Sequence, residues 1–349
     1  PTGRTCVVSP QRNDAPAGGA NKGLSGGVFR GSLAAPRAMS SSASHTSTED
    51  RGPAPRLSVV VPLFNCLALT RAMLASLRAT LPTGLTHEII LVDDGSTDGT
   101  REWLRETAEF RAPPFRVLLN ERNLGFAGAN NRAVAIARGE LVALLNNDLV
   151  LLPGWLEPML GALASLGDRA GLVGNVQLDA HTGEVDHAGL EQNPAAKPVH
   201  IRQLPCLPAR LLRPIQPAIA VTGACLLLHR SLWRELGGFD EGYVNGGEDI
   251  DLCYRARAAG RVNGVALRSV VRHHVSSSPG RKARDEHNSH RLALRWGREF
   301  SADALRPWCR QYLRDVFAQP REREYRVVFA ALAYLAGIRR QPPPEARSE

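Results

Sequence analysis

The chain has 349 residues, 43% of them hydrophobic and 22% charged, which allows roughly two domains or one large α/β domain with appendages and excludes a wholly disordered or collagen-like chain. Its net charge of +9 is carried at the two ends: residues 1–55 hold 6 basic and 3 acidic side chains, residues 281–349 hold 15 and 9, and the middle is balanced at 22 of each. A nucleic-acid binder carries its positive charge on the folded domain, so no nucleic-acid partner is expected; charge at the ends suits a membrane surface or plain solubility.

Residues 1–55 are rich in Gly, Ala, Ser, Pro and Arg without periodicity, a composition that buries too little apolar surface to order itself. They are expected to be a disordered tail, and Met39, the first methionine, is the expected biological start. Order begins with Leu57-Ser58-Val59-Val60-Val61-Pro62, a β-branched run suited to a strand buried on both faces, with Pro62 ending it. Apolar residues at helical spacing follow from Leu69 to Leu81. A second strand, Glu88 to Val92, runs into Asp93-Asp94-Gly95-Ser96-Thr97-Asp98, where Ser96 or Thr97 can cap a helix over 99–110. A strand at Arg116 to Leu119, a helix at Leu124 to Arg138 and a strand at Leu141 to Leu145 complete an alternation that predicts a parallel sheet with right-handed crossovers. Further on, Glu248 and Asp249 open a predicted helix to Ala259, Val270-Val271 leads into His273-His274, and residues 301–340 read as helical.

Two predicted strands end in aspartates: Asp93 and Asp94 follow Val92, and Asp148 follows Leu145 through Asn146 and Asn147. A single aspartate there is as well explained by a turn or a helix cap. Two on one edge of a sheet, where ligands of open α/β folds bind, gather carboxylates whose repulsion is relieved by a shared cation. Glu248 and Asp249 can be a capping pair at a helix N-terminus, and a histidine at a strand end can be structural or a ligand. The chain has neither a Gly-x-Gly-x-x-Gly after its first strand nor a phosphate-binding Gly-x-x-x-x-Gly-Lys-Ser/Thr, which disfavours a dinucleotide oxidoreductase and a P-loop NTPase.

The ordered set Val59-Val60-Val61-Pro62-Leu63-Phe64-Asn65, Glu88 to Asp98, Asn123-Leu124-Gly125-Phe126 with Asn131, Asn146-Asn147-Asp148, Thr222-Gly223-Ala224-Cys225, Gly238-Phe239-Asp240-Glu241, Glu248-Asp249-Ile250-Asp251-Leu252 and His273 resembles glycosyltransferase family two over about residues 57–300. Its nearest likeness is to the bacterial branch, rhamnosyltransferases included, that builds surface polysaccharides. The resemblance implies a GT-A fold, Rossmann-like and mostly parallel, over 56–280, with the tail before it and a small helical extension over 281–349. It implies an inverting transfer from a UDP- or dTDP-sugar to a glycan or lipid-linked glycan, with Mg²⁺ or Mn²⁺. Carried onto this chain, Asp94, with Asp93 beside it, meets the nucleotide base, and Pro62, Phe64 and Asn65 form the loop that packs near the nucleotide. Asn131 and Asn147 join the nucleotide-sugar site. Asp148 is the last residue of the metal motif, whose acidic positions are here Asn146 and Asn147. His273 is the metal-contacting histidine with His274 as its alternative, and Asp249, with Glu248 next to it, is the catalytic base. A non-catalytic sugar-nucleotide-binding scaffold and a sugar-phosphate nucleotidylyltransferase are the competing readings; the latter wants a Gly-rich basic loop that Leu63 to Leu67 lacks.

The six cysteines form no CxxC pair and read as reduced thiols. No apolar core of signal-peptide length opens the chain, and Val327 to Ile338 is shorter than the about 20 residues of a membrane span. The expected setting is cytoplasmic, with the arginine-rich C-terminal helices as a candidate peripheral contact with the inner membrane surface.

Overall fold

The computed structural model describes residues 53–205, 213, 215–274, 285–318 and 325–343; Met39 and the predicted tail up to residue 52 lie outside them. The first half alternates strand and helix: β1 (Leu57–Leu63), α1 (Leu67–Thr80), β2 (His87–Asp93), α2 (Thr100–Glu106), β3 (Phe115–Leu119), α3 (Gly125–Ile136) and β4 (Leu141–Leu145). The second half is β5 (Leu149–Leu151), α4 (Leu156–Leu166), β6 (Ala170–Asp179), β7 (Val185–His187), β8 (Leu190–Gln192), β9 (Pro198–His200), β10 (Gln216–Pro217), β11 (Cys225–His229), α5 (Arg230–Leu236), α6 (Glu248–Ala258), β12 (Val262–His273), α7 (Asp285–Ala318) and α8 (Tyr325–Leu335).

The main sheet runs β10-β12-β6-β11-β4-β1-β2-β3. Strands β1 to β4 pair in parallel, and β6 and β12 run the same way, while β11 lies antiparallel between β4 and β6. The mixed α/β fold with a mostly parallel sheet is therefore the one expected. Side chains of β1 alternate between two cores, as period-two geometry requires. Leu57, Val59, Val61 and Leu63 join Met73, Leu77, Leu156 and Met159 on one face. Val60 joins Ala133 and Val134 of α3 and Leu252 and Ala256 of α6 on the other. Burying each such aliphatic side chain contributes about 1.5–3 kcal/mol, and helices cover both faces.

Three local expectations are corrected. Strand β1 passes through Pro62 instead of ending there. The Leu63 carbonyl accepts from Asp94 N on the β2 side, so Pro62 faces β4, where the ladder has already stopped at Val60 and Leu144 and no donor is missed. Neither Ser96 nor Thr97 caps α2. Asp98 does: its Oδ1 accepts from Thr100 N at 3.1 Å, and its Oδ2 accepts from Leu67 N at 2.9 Å. One carboxylate thus serves the positive ends of α1 and α2 together. Partial burial pulls its pKa up, but the Thr100 hydroxyl, which donates to Oδ1 at 2.6 Å, and these two amides outweigh that and hold it below the usual value. Finally, the helix predicted over 99–110 stops at Glu106, and a short 3₁₀ turn at Ala108–Arg111 turns Phe110 inward against Trp103 and Phe115.

The C-terminal helices begin at Asp285, inside the extension expected over 281–349 but before residue 301, where the chain reads as helical. Helix α7 packs Leu292 and Phe300 against Tyr243 and Tyr254. Arg257 makes two bonds to Asp303, at 2.6 and 2.9 Å. Asp251, fully buried on α6, is surrounded by Arg255, Arg295 and Trp296 Nε1 at 2.8–3.1 Å, the donor-rich surroundings that a buried carboxylate requires.

Candidate active site

Parallel strands bring their carboxyl ends to one edge. β1 ends there at Leu63, β2 at Asp93, β4 at Leu145 and β12 at His273, and the antiparallel β11 begins there. The Asn146 amide donates to the Ala224 carbonyl at 2.8 Å, and the His274 amide to the Asp148 carbonyl at 3.0 Å, tying the turn after β4 to its neighbours on both sides. A pocket opens at this edge. Its lining includes Pro62, Phe64, Asp94, Asn147, Asp148, Glu248, Asp249 and His273. Four carboxylates and a histidine line it, and among the described residues it has no lysine or arginine.

Asp148 and His273 meet: His273 Nε2 lies 3.2 Å from Asp148 Oδ1, both residues being buried. Asp148 Oδ1, Asn146 Oδ1 and His273 Nδ1 are buried without a hydrogen bond, an uncommon condition for such atoms. His274 is outside the lining, and its ring lies 5.2 Å from that of His181. Among the described residues no three His, Cys, Asp or Glu side chains gather closely enough to hold a metal by themselves.

Asp94 is buried and heavily used. Its Oδ1 accepts from Asn120 Nδ2 at 2.7 Å and Leu124 N at 2.9 Å, and its Oδ2 accepts from Gly125 N at 2.9 Å. It fixes the start of α3 while still edging the pocket. Asp93 does not reach the pocket, since it is fully buried in an ion pair with Arg101 at 2.7 Å and accepts from Ser96 N. Asn65 and Asn131 are also absent from the lining. The Asn65 amide and side chain hold Ser96 and Thr97. Asn131 clasps the backbone of Phe239 and reaches Glu241 Oε1. Asn147 lines the pocket while donating to Thr70 Oγ1 at 2.9 Å.

Asp249 stands in the first turn of α6. Its Oδ2 accepts from Gly223 N at 2.8 Å and its Oδ1 from Ile250 N, and the residue is half-exposed. Glu248 is buried, and its Oε2 accepts from Gly246 N at 2.8 Å. Sequence reasoning missed Asn245 and Gly246, which line the pocket; Asn245 Oδ1 accepts from Phe126 N at 3.2 Å. The Asn-Gly-Gly run at 245–247 is a turn signature that could have revealed this loop. Behind it, Thr222 N approaches Nε2 of the fully buried His187 at 3.4 Å. Burial, then the nearby His200 and His273, push the His187 pKa well down.

The model of glycosyl transferase family 2 matches residues 58–236. The chain is 31% identical over 263 residues to an N-acetylglucosaminyl-diphospho-decaprenol L-rhamnosyltransferase of Mycobacterium tuberculosis, covering 69% of this chain and 82% of that protein. It is 33% identical over 264 residues to the uncharacterized protein y4gI of Sinorhizobium fredii, spanning 71% of this chain but only 28% of that one. It is 31% identical to the O-antigen biosynthesis protein RfbC of Myxococcus xanthus, spanning 73% of this chain and 19% of RfbC. Among solved structures, the fold is similar to GalNAc-T7 bound to UDP, GalNAc and Mn²⁺, with a TM-score of 0.52 at 21% identity over 64% of this chain and 44% of that one. It is also similar to a mannosyltransferase of Pyrobaculum calidifontis bound to GDP-Man and Mn²⁺, with a TM-score of 0.50 at 19% identity over 85% of this chain and 83% of that one.

Proposed function

The chain belongs to glycosyl transferase family 2 and is a glycosyltransferase, and from that premise we propose that it moves a sugar, with inversion, from a UDP- or dTDP-sugar to a hydroxyl of a glycan or lipid-linked glycan in cell-surface polysaccharide synthesis. The observation that carries this reading is the charge of the pocket: four carboxylates and no lysine or arginine among the described lining residues. A nucleoside diphosphate is anionic, so it needs a cation here. Asp148 Oδ1 and His273 Nε2, 3.2 Å apart and the former lacking a hydrogen bond, are an oxygen and an imidazole donor suited to Mg²⁺ or Mn²⁺. Phosphate and water oxygens would complete the site of such an ion. When bound, it would supply positive charge to the leaving diphosphate.

The protein's own part is orientation and proton transfer. The acceptor hydroxyl must lose a proton as it attacks. Asp249 is the better base than Glu248 because it is half-exposed to the pocket while Glu248 is buried, and its two amide contacts leave lone pairs free. Three of the roughly four acceptor sites of the Asp94 carboxylate serve Asn120, Leu124 and Gly125, leaving one for the N–H of a uracil or thymine. We assign Pro62, Phe64 and Asn147 to contacts with the nucleotide sugar, with Asp93, Asn65 and Asn131 bracing the loops around it.

The name of the Mycobacterium relative supports a lipid-linked acceptor. So does α8, whose buried stripe packs on α7 while Tyr325, Phe329 and Leu332, at i, i+4 and i+7, stand exposed. Residues 325–343 hold Arg326, Arg339 and Arg340 and no acidic residue, the pattern of a helix lying in an anionic interface. No helix among the described residues is long and apolar enough to cross a membrane. The setting proposed is cytoplasmic, peripheral at the inner membrane surface.

A screen of the purified chain with UDP-, dTDP- and GDP-sugars and Mn²⁺ or Mg²⁺, reading release of the nucleoside diphosphate, tests the proposal. Metal-dependent release with one donor is expected. Binding without turnover of any donor would favour the scaffold reading.

A further inference from the structure

The base-bearing helix is entered through an unusual backbone. Asn245, Gly246 and Gly247 have consecutive φ values of 53°, 157° and 93°, in the region that favours glycine and that an asparagine side chain enters at some cost. This segment contributes Asn245 and Gly246 to the pocket and leads directly into Glu248 and Asp249. Such a turn holds its shape only where its surroundings determine it.

The determinant is on α7, beyond the residues matched by the family model. Asn288, only 4% exposed, closes both backbone groups of Val244: its Oδ1 accepts from Val244 N at 3.2 Å, and its Nδ2 donates to the Val244 carbonyl at 2.9 Å. One helical turn further, Leu292 seals the same loop: a Cβ on Gly247 would lie 3.2 Å from Leu292 Cδ1. Further along α7 the helix is fastened by Arg291 to Asp240 at 2.8 Å and by Trp296 to Asp251 at 2.8 Å. The loop is thus gripped by an amide that pairs with it as a neighbouring strand would.

We infer that Asn288 is a positioning residue for the transfer step, setting the 244–247 loop and through it the carboxylate of Asp249, while having no part in holding the donor's nucleotide or its metal. The inference rests on the assignment of Asp249 as the base. Donor groups come from other elements, Asp94 after β2, Asp148 after β4 and His273 at the end of β12, and Asn288 touches none of them. Loss of the clamp therefore misplaces the base and leaves donor binding as it was.

The test compares Asn288→Ala, Asn288→Asp and Asp303→Asn in the full chain. The third variant breaks a different α7 anchor, to Arg257 and Tyr254, far along the helix from the loop. The readouts are melting temperature, UDP affinity in the presence of Mn²⁺, and kcat and KM with the donor on which the wild type turns over. Asn288→Ala is expected to lower kcat about 10- to 100-fold, the range that a small displacement of a reacting group produces, with KM for the donor and UDP affinity changed by less than about twofold. Asn288→Asp, which still accepts from Val244 N but cannot donate to its carbonyl, is expected to fall between, and it carries the test if the alanine variant does not fold. Asp303→Asn is expected to lower the melting temperature with kcat unchanged. An Asn288 variant that keeps kcat within twofold, or loses kcat and UDP affinity together, overturns the inference while the active wild type upholds the reading of the pocket. A wild-type chain that turns over no donor overturns both.

Discussion

Replacing Asp148 with alanine removes one of the two side chains proposed to hold the cation, in a pocket with no lysine or arginine among its described lining residues. A loss of about 4 kcal/mol of transition-state stabilisation lowers the rate about a thousandfold, and that is the expected result for Asp148→Ala in steady-state turnover at saturating Mn²⁺; near-normal turnover would refute the assignment. Asp249→Asn keeps an acceptor for the Gly223 amide but cannot take a proton from the acceptor. It is expected to bind UDP normally and to lose at least about 100-fold in kcat. Normal maximal turnover would move the base role to Glu248. Residues of this kind were legible in the sequence because each sits where a predicted strand or helix ends. Asp93 looks the same in sequence. What separates it is direction: successive residues at a strand end point to opposite faces, so Asp94 edges the pocket while Asp93 is buried against Arg101.

Elements are joined at Glu88, which lies on β2 and is buried. It accepts from Ser58 Oγ of β1 at 2.6 Å, from the Arg138 amide after α3 at 2.6 Å and from Arg116 of β3 at 3.0 Å. Burial raises its pKa, but these donors outweigh it and hold the carboxyl below its usual value. A depressed folded-state pKa stabilises the fold above the unfolded value and ceases to do so as pH falls through the folded one. Glu88→Gln is accordingly expected to destabilise by about 1–3 kcal/mol at pH 7, and the gap between variant and wild type should close in urea melts taken well below pH 4. A gap that persists there would show that the charge is not what matters. Strands and helices up to residue 145 were readable because burial on both sheet faces gives short apolar runs separated by turn residues. The region between 175 and 221 was not, because its strands are two or three residues long, apart from the end of β6, too short for any periodicity. The first turns of α7, before residue 301, escaped the helical reading of the residues for a different reason. They are polar in sequence, and they are fastened to the domain by the buried Asn288 and by ion pairs and hydrogen bonds to Asp240, Val244 and Asp251, which no apolar pattern reports.

At the scale of the whole molecule, the exposed apolar side chains of α8, with Tyr325 65% and Phe329 68% exposed, are accompanied by Arg326 on the helix and by Arg339 and Arg340 just after it. Flotation with vesicles should show binding to anionic lipid that weakens with salt and is lost in a Phe329→Asp/Leu332→Asp double variant with turnover on a soluble acceptor retained. Equal failure to bind anionic and neutral vesicles would leave the helix pair as a covering of the catalytic domain alone. The order of strands has a consequence of another kind. β11, which closes the sheet between β4 and β6, is synthesised after both. Until about residue 229 has left the ribosome, the half-sheet of β1 to β4 carries an open, strongly apolar edge at β4, while β6 awaits both β11 and the still later β12, the condition in which unfinished proteins associate with each other or with chaperones. The edge of β4 that awaits β11 belongs to the strand that runs into Asn146, Asn147 and Asp148, and His273 is the last residue of β12, so the wall of the pocket that Asp148 and His273 share takes shape only when translation has passed residue 273.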